Sequence, residues 1–137
     1  MPAPFADPCD SEALKRRLAD MLRAVFADPG RIPEFFTDDY EQVTDGERSD
    51  RVRFEAHIRH VAGSIRSIEV TVLDAVRQGD AIADRHVVEV VDADGHGAAI
   101  EVYLFGTLRG GRLARVSEVT RVLSGDPGLR DLARAAE

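Results

Sequence analysis

Tryptophan is absent, cysteine occurs once, and Lys15 is the only lysine among the 137 residues. Each scarcity removes a class of protein. Cys9 alone supplies neither a disulfide framework nor a thiolate cluster for metal. The basic residues are otherwise arginine, a coding bias more than a chemical signal, and the formal charge of −7 argues against nucleic acid and anionic membrane as partners. No apolar run approaches the ~20 residues that span a bilayer. The N-terminus is acidic and proline-bearing, without the basic and apolar regions of a signal peptide, so a cytoplasmic protein is expected. The glycine-rich positions (Gly95, Gly97, Gly110, Gly111) sit in hairpin turns and do not open a helix, which excludes a P-loop or a Rossmann fingerprint. The histidines are scattered, without a His-x-x-x-His or Glu-x-x-His pair on a helix, so no metal and no cofactor are expected.

The length suits one domain with a real core. Met1 to Pro8 reads as a loose tail, making residues 1–9 a disordered segment ahead of a domain over 10–137. Asp10 or Ser11 caps a helix running to about Ala27, with Leu14, Leu18, Met21, Leu22, Val25 and Phe26 at helical spacing. Asp28-Pro29-Gly30 ends it, and a short second helix is expected over Arg31 to Phe36. An extended arm follows around Tyr40 to Val43, then the turn-like Asp45-Gly46. Asp50 caps a third helix from Arg51 to about Ala62, carrying Phe54, His57, Ile58 and Val61. Ile65 to Arg77 alternates as a strand. Near the end, Asp126 and Pro127 start a short terminal helix.

Strand pattern, turn chemistry and ionisable residues coincide between Asp80 and Leu123. Two hairpins are predicted there, one turning in the Asp- and Gly-rich stretch Ala93–Gly97, the other at Gly110-Gly111. With Gly110 and Gly111 as the loop, Tyr103 falls opposite Glu118, Phe105 opposite Val116 and Glu101 opposite Thr120. A four-residue loop keeps this parity and a bulge flips it. Closing the first hairpin at Asp94-Gly95 or at Gly95-His96 adds Asp84, His86, Val88 and Val90 to the same face. One surface would then gather Asp84, His86, Glu101, Tyr103, Glu118 and Thr120 among apolar neighbours. That mixture suits a ligand cavity better than a dry core, where unpaired carboxylates are costly. The face of strand 65–77 that joins this surface is left open by its ambiguous turn.

Helices first and a long meander after them make an α+β layout with helices on one face of a sheet. The other sheet face is apolar enough to meet a second subunit. The candidate catalytic residues are His86, Glu118, Asp84 and Tyr103. His86 has the ordinary pKa for proton transfer at neutral pH and would remove an acidic C–H beside a carbonyl, with Glu118 or Asp84 orienting its ring. Glu118 on an interior strand would act as general acid or base, or else pair structurally with Arg85, Arg121 or Tyr103. Tyr103 would donate to a developing enolate oxygen, or simply pack. Tyr40, Phe54, His57, Glu101, Phe105 and Thr120 are candidate ligand contacts, with Glu101 and Asp84 nearer a solvated mouth. His60 and His96 look exposed.

The helix order with Phe35-Phe36, Phe54 and His57, and the strands with Leu104-Phe105-Gly106, Gly110-Gly111-Arg112-Leu113 and Val116-Ser117-Glu118-Val119-Thr120-Arg121, resemble the nuclear transport factor 2-like superfamily. Within it the chain resembles the SnoaL-like polyketide cyclase branch, over roughly residues 10 to 123. The resemblance implies a cone-shaped curved antiparallel sheet with the N-terminal helices on its concave face, an interior pocket and a homodimer. It also implies a range of activities, since the superfamily holds isomerases, cyclases, dehydratases, epoxide hydrolases and non-catalytic binders. Relatives with isomerase or aldol-type cyclase activity use an Asp base with a Tyr, Asp or His partner in the cone, a surface on which Asp84 and His86 fall. The expected function is thus cofactor-free acid–base chemistry on a small apolar carbonyl compound. The alternatives are a non-catalytic small-molecule binder and a dimerisation module.

Overall fold

A computed structural model describes residues 4–7 and 9–125. The terminal helix expected after Asp126 lies outside the described residues. Helix α1 (Ser11–Ala27) begins where the Asp10 carboxylate accepts the Ala13 N–H at 2.8 Å. Its apolar stripe buries Leu14, Leu18, Met21 and Val25, each side chain adding roughly 1.5–3 kcal/mol of transfer free energy. A single turn of 3₁₀ helix at Pro29–Arg31 leads into α2 (Ile32–Phe35) and then β1 (Phe36–Thr44). Asp45 and Gly46, with φ of 50° and 88°, make the tight turn into β2 (Glu47–Asp50), a strand with no clear sequence signal. Helix α3 (Arg51–Ser64) is capped by Asp50, whose side chain accepts the Arg53 N–H at 2.9 Å, and it buries Phe54, His57, Ile58 and Val61.

Strands β3 (Ile65–Gln78), β4 (Ala81–Asp92), β5 (Gly97–Arg109) and β6 (Arg112–Gly125) form the expected antiparallel meander. The six-stranded curved sheet has the order β2-β1-β6-β5-β4-β3. One pairing departs from the antiparallel expectation: β1 lies parallel to β6, with Gln42 beside Val116 and Thr44 beside Glu118. Helices α1 and α3 cover one face of the sheet, and the aromatic rings of Phe36, Tyr40 and Phe54 meet beneath them at 4.7–5.1 Å between centroids.

The N-terminal segment corrects one expectation. Phe5 is fully buried in the core, its N–H donates to the Gly111 carbonyl at 2.9 Å, and its own carbonyl accepts from Arg77 at 2.8 Å. A phenylalanine with a large apolar surface and two backbone anchors is fixed, so the loose-tail reading fails at this residue.

Strand parity corrects another. The β4–β5 turn is a three-residue loop, Ala93-Asp94-Gly95, with Gly95 at φ 87° and Val91 facing Gly97. Its odd length reverses the expected parity between β4 and β5. The β5–β6 turn does close at Gly110-Gly111, but Ala114 bulges out because Thr107 pairs with Arg115 while Leu108 pairs with Leu113. That bulge reverses the parity between β5 and β6. The two reversals cancel across β5. His86 therefore pairs with Val102, Asp84 with Leu104, and Leu104 with Glu118. Asp84, His86 and Glu118 share the helix-covered face as expected, whereas Glu101, Tyr103 and Phe105 turn to the opposite face.

Candidate functional site

The inner face of β4, β5 and β6, the start of β1 and the apolar stripes of α1 and α3 enclose a cavity of about 60 Å³. Met21, Phe26, Phe36, Phe54, Leu104 and Val116 are among its apolar walls, and the polar groups on it come from His86, Glu118, Gln42 and Tyr40. Drug-sized ligands occupy pockets of roughly 300–1,000 Å³. The space here suits a few heavy atoms, the reacting head of a molecule or a small molecule entire.

On β4, positions two apart point the same way, so Asp84 and His86 are neighbours by strand geometry. His86 Nδ1 lies 2.6 Å from Asp84 Oδ1, and both residues are buried. An ionised carboxylate only accepts, so this contact places the proton on Nδ1 and leaves Nε2 for the cavity side of the ring. Burial pushes the His86 pKa down, but the hydrogen bond and charge of Asp84 and the charge of Glu118 outweigh it, leaving a net upward shift. Among the described residues, Asp84 Oδ2 has no hydrogen-bond partner.

Glu118 arrives from β6, half-buried, with burial as the main force raising its pKa. The Thr44 hydrogen bond and His86 oppose that rise, while Asp84 and Asp45 add to it. The Thr44 hydroxyl donates to Glu118 Oε1 at 2.8 Å, Gln42 Nε2 donates to Thr44 Oγ1 at 3.1 Å, and the Tyr40 hydroxyl donates to Gln42 Oε1 at 2.7 Å. Tyr40, Gln42 and Thr44 are alternate residues of β1, all buried. Burial and the Glu118 charge hold the Tyr40 phenol well above its usual pKa, so it is a donor at any ordinary pH. Gln42, Thr44 and Asp45 were not singled out from the sequence. The signal was there as the alternation Tyr40-x-Gln42-x-Thr44, a period-two polar row, but the partner that satisfies it lies 74 residues on.

Of the other sequence-derived candidates, Tyr40 and Phe54 line the cavity. His57 is buried on α3, where Phe54 and Ile58 reach the cavity wall and it does not. Thr120 is taken up by Asp45, which accepts its N–H at 2.8 Å and its hydroxyl at 2.6 Å. Three placements are corrected. Tyr103 and Phe105 lie on the outer face, 47% and 57% exposed, beside Val119 at 57%. Glu101 is also on that face, buried between Arg121 and Arg85, which donate to its carboxylate at 2.9–3.4 Å. Desolvation works upward on the Glu101 pKa, and hydrogen bonds from Arg121 and Tyr103 with both arginine charges outweigh it, giving a net downward shift. Its role is that of a structural ion pair, the reading the sequence had offered for Glu118.

Asp92, Asp94 and His96 bring three potential metal-ligand atoms within 4.8 Å at the β4–β5 turn. Asp92 Oδ1 accepts the N–H groups of Asp94 and His96 at 2.9 Å each, so the cluster is the hydrogen-bonded frame of the turn. No helix among the described residues is long and apolar enough to cross a membrane.

Residues 12–116 match the family described as SnoaL-like domain. A curated relative, an uncharacterised protein of Schizosaccharomyces pombe, is 28% identical over 123 residues, spanning 90% of this chain and 95% of its own. Among solved structures, AclR of Streptomyces galilaeus, a candidate hydroxylase, superposes with a TM-score of 0.68 at 13% identity, over 88% of this chain and 85% of its own. IdmH of Streptomyces antibioticus, a candidate polyketide cyclase, gives 0.62 at 18% identity, over 72% of this chain and 86% of its own. An NTF2-like protein of unknown function from Exiguobacterium gives 0.63 at 19% identity, over 75% and 93%. At these identities the structural likeness is one of fold.

Proposed function

The chain belongs to the SnoaL-like domain family, and from that premise we propose that it catalyses cofactor-free proton transfer on a small apolar carbonyl compound. The observation that carries this reading is that His86, bonded through Nδ1 to Asp84, faces the same apolar cavity as Glu118. His86 Nε2 takes a proton from the carbon next to the carbonyl, and the C–H electron pair becomes the enolate double bond. Asp84 steadies the imidazolium that results. Glu118, whose raised pKa favours the carboxylic acid, gives its proton to the carbonyl oxygen. On a β,γ-unsaturated substrate the enol is conjugated, and return of the His86 proton to the γ-carbon, with Glu118 recovering its own from the enol oxygen, completes an isomerisation. Attack of the enol carbon on a second carbonyl, whose oxygen takes the His86 proton while Glu118 recovers its own from the enol oxygen, gives a cyclisation instead.

The test is hydrogen–deuterium exchange at the α-carbon of small cyclic ketones and β-diketones in D₂O, followed by proton NMR. Wild-type protein is expected to accelerate exchange, and His86→Ala to lose about 10²–10⁴ of that acceleration, the usual range for general acid–base catalysis. Glu118→Gln should lower the rate while leaving affinity nearly unchanged. Binding without exchange would sink the catalytic reading in favour of a non-catalytic small-molecule binder. The 60 Å³ of space favours that second reading, since it suits a small guest better than a long substrate.

The same family premise extends to assembly: a homodimer formed through the outer sheet face. Val43, Ala83, Tyr103, Phe105 and Val119 help to line a concavity of about 440 Å³ that also reaches Asp84, Leu104 and Glu118. The ion cluster of Arg85, Glu101 and Arg121 stands at its edge, an apolar centre with a polar rim.

A further inference from the structure

The structure holds a row of three buried polar residues on β1 that the proposed chemistry does not use directly. Tyr40, Gln42 and Thr44 are each 2% exposed or less. Buried polar groups are tolerated when hydrogen-bonded, and here each is satisfied by the next. The donors all run one way, from the Tyr40 hydroxyl to Gln42, from the Gln42 amide to Thr44, and from the Thr44 hydroxyl to Glu118. Apolar residues at these positions would pack without any such chain, so its direction needs a terminus, and the terminus is a carboxylate.

A second element fixes the end of the row. Asp45 follows Thr44 with φ of 50°, the left-handed conformation that the Asp45-Gly46 turn requires and that aspartate adopts more readily than most residues. Its N–H donates to the Glu118 carbonyl at 3.0 Å, and its carboxylate accepts both the N–H and the hydroxyl of Thr120. Asp45 therefore grips β6 at Glu118, the residue that Thr44 reaches, and again two residues on, at Thr120. We propose that Tyr40, Gln42 and Thr44 are positioning residues forming a one-directional hydrogen-bond chain that orients the Glu118 carboxyl group in the cavity, with Asp45 clamping the chain to β6.

The proposal rests on the acid–base reading of this pocket and supplies its control: the chain sets how readily Glu118 gives up its proton. A chain of donors polarises along its length, so a change at Tyr40 is felt at Glu118 through two intervening groups. The charged and titratable groups facing Glu118 are His86 and Asp84 from β4, Asp45 from the turn and Tyr40 from β1. His86 opposes the chain's removal and the two aspartates reinforce it, and all three remain in the variants below.

The experiment follows the Glu118 side-chain carboxyl carbon by ¹³C NMR across pH in ligand-free protein, with the resonance assigned by its loss in Glu118→Gln. Thr44→Val is expected to move the Glu118 midpoint to higher pH, because a donor to the anion is removed. Thr44→Ser, which keeps the hydroxyl, should restore it. Tyr40→Phe, which keeps the ring among Phe36 and Phe54, should move it in the same direction by less. A midpoint unchanged in Tyr40→Phe overturns the chain, and so does an equal shift in Thr44→Val and Thr44→Ser. If Thr44→Val does not fold, Tyr40→Phe decides alone. No substrate enters these titrations, so a protein that fails the α-carbon exchange assay but shows the shifts loses the catalytic reading and keeps the chain.

Discussion

His86 Nδ1 lies 2.6 Å from Asp84 Oδ1, and the side chains keep only 4% and 1% of their surface in contact with solvent. Removing one member of such a pair strands the other in the interior. His86→Ala is expected to lower stability by about 3–5 kcal/mol, the range for a buried charge left unpaired. Replacing both, Asp84→Leu with His86→Met, should recover most of that loss because no charge remains to be compensated. Urea unfolding of Asp84→Leu, His86→Met and the double variant measures the coupling. Losses that simply add would mean the two groups do not act as a pair.

The same pair gives stability a pH signature. The His86 pKa is raised in the folded protein, chiefly against the downward pull of burial by its bond to Asp84. A raised histidine contributes stability that is complete below its unfolded pKa of about 6.5 and fades as pH rises through the folded value. Asp84→Asn removes the carboxylate and leaves burial opposed only by the Glu118 charge. Its His86 is expected to titrate below the wild-type midpoint, read from the imidazole Cε1 resonance, and the fall of stability above neutral pH should flatten. An unmoved midpoint would place the cause of the shift elsewhere.

How far the sequence reaches is clearest on β5. Helix caps at Asp10 and Asp50, the turn at Gly110-Gly111 and the long strands are local signals, and the structure follows them. The bulge at Ala114 and the three-residue turn at Ala93–Gly95 are not local in the same sense. Nothing in the alternation of β6 marks Ala114 as the extra residue, and Asp94-Gly95-His96 accommodates several loop lengths. Each choice moves a whole strand to the other face. Asp84, His86 and Glu118 came out together because β4 and β6 are related through both choices, and the errors cancel. Tyr103, Phe105 and Glu101 sit between the two and inherit only one. The β1 row escaped notice because a parallel pairing between residues 42 and 116 has no turn to announce it.

Glu118 carries the opposite pH dependence from an ordinary salt-bridged carboxylate. Burial, the largest influence, raises its folded pKa, and the Thr44 bond and His86 only moderate the rise. A carboxyl with a raised pKa contributes stability below its unfolded value of about 4.3, and that contribution is lost as pH climbs through the folded one. Glu118→Gln cannot ionise and still offers an oxygen to the Thr44 hydroxyl. It is expected to be more stable than wild type at pH 8, with the gap closing below about pH 4.3. Denaturant curves at pH 8, 6 and 4 check this. A variant less stable than wild type at pH 8 would show that the ionised carboxylate is a stabilising partner, and the raised pKa would be refuted.

The outer face makes a prediction independent of the cavity. Tyr103, Phe105 and Val119 expose about half of their surface each, in a contiguous patch across β5 and β6, since Tyr103 pairs with Val119 and Phe105 with Ser117. Burying such a patch against its own copy under two-fold symmetry removes apolar area from water on both subunits at once. A charge placed at its centre is then buried twice and repelled by its mate. Phe105→Glu is expected to convert a dimeric mass to a monomeric one in sedimentation equilibrium. Phe105 and its cross-strand neighbour Ser117 are already exposed, so the substitution should leave the unfolding of the monomer within roughly 0.5 kcal/mol. Arg121→Ala, by contrast, withdraws one of the two arginines that neutralise the buried Glu101 carboxylate. It should weaken the fold of each subunit as well as the assembly. A wild-type protein that sediments as a monomer at micromolar concentration would refute the assembly, and the patch would then be an exposed apolar face without a second copy.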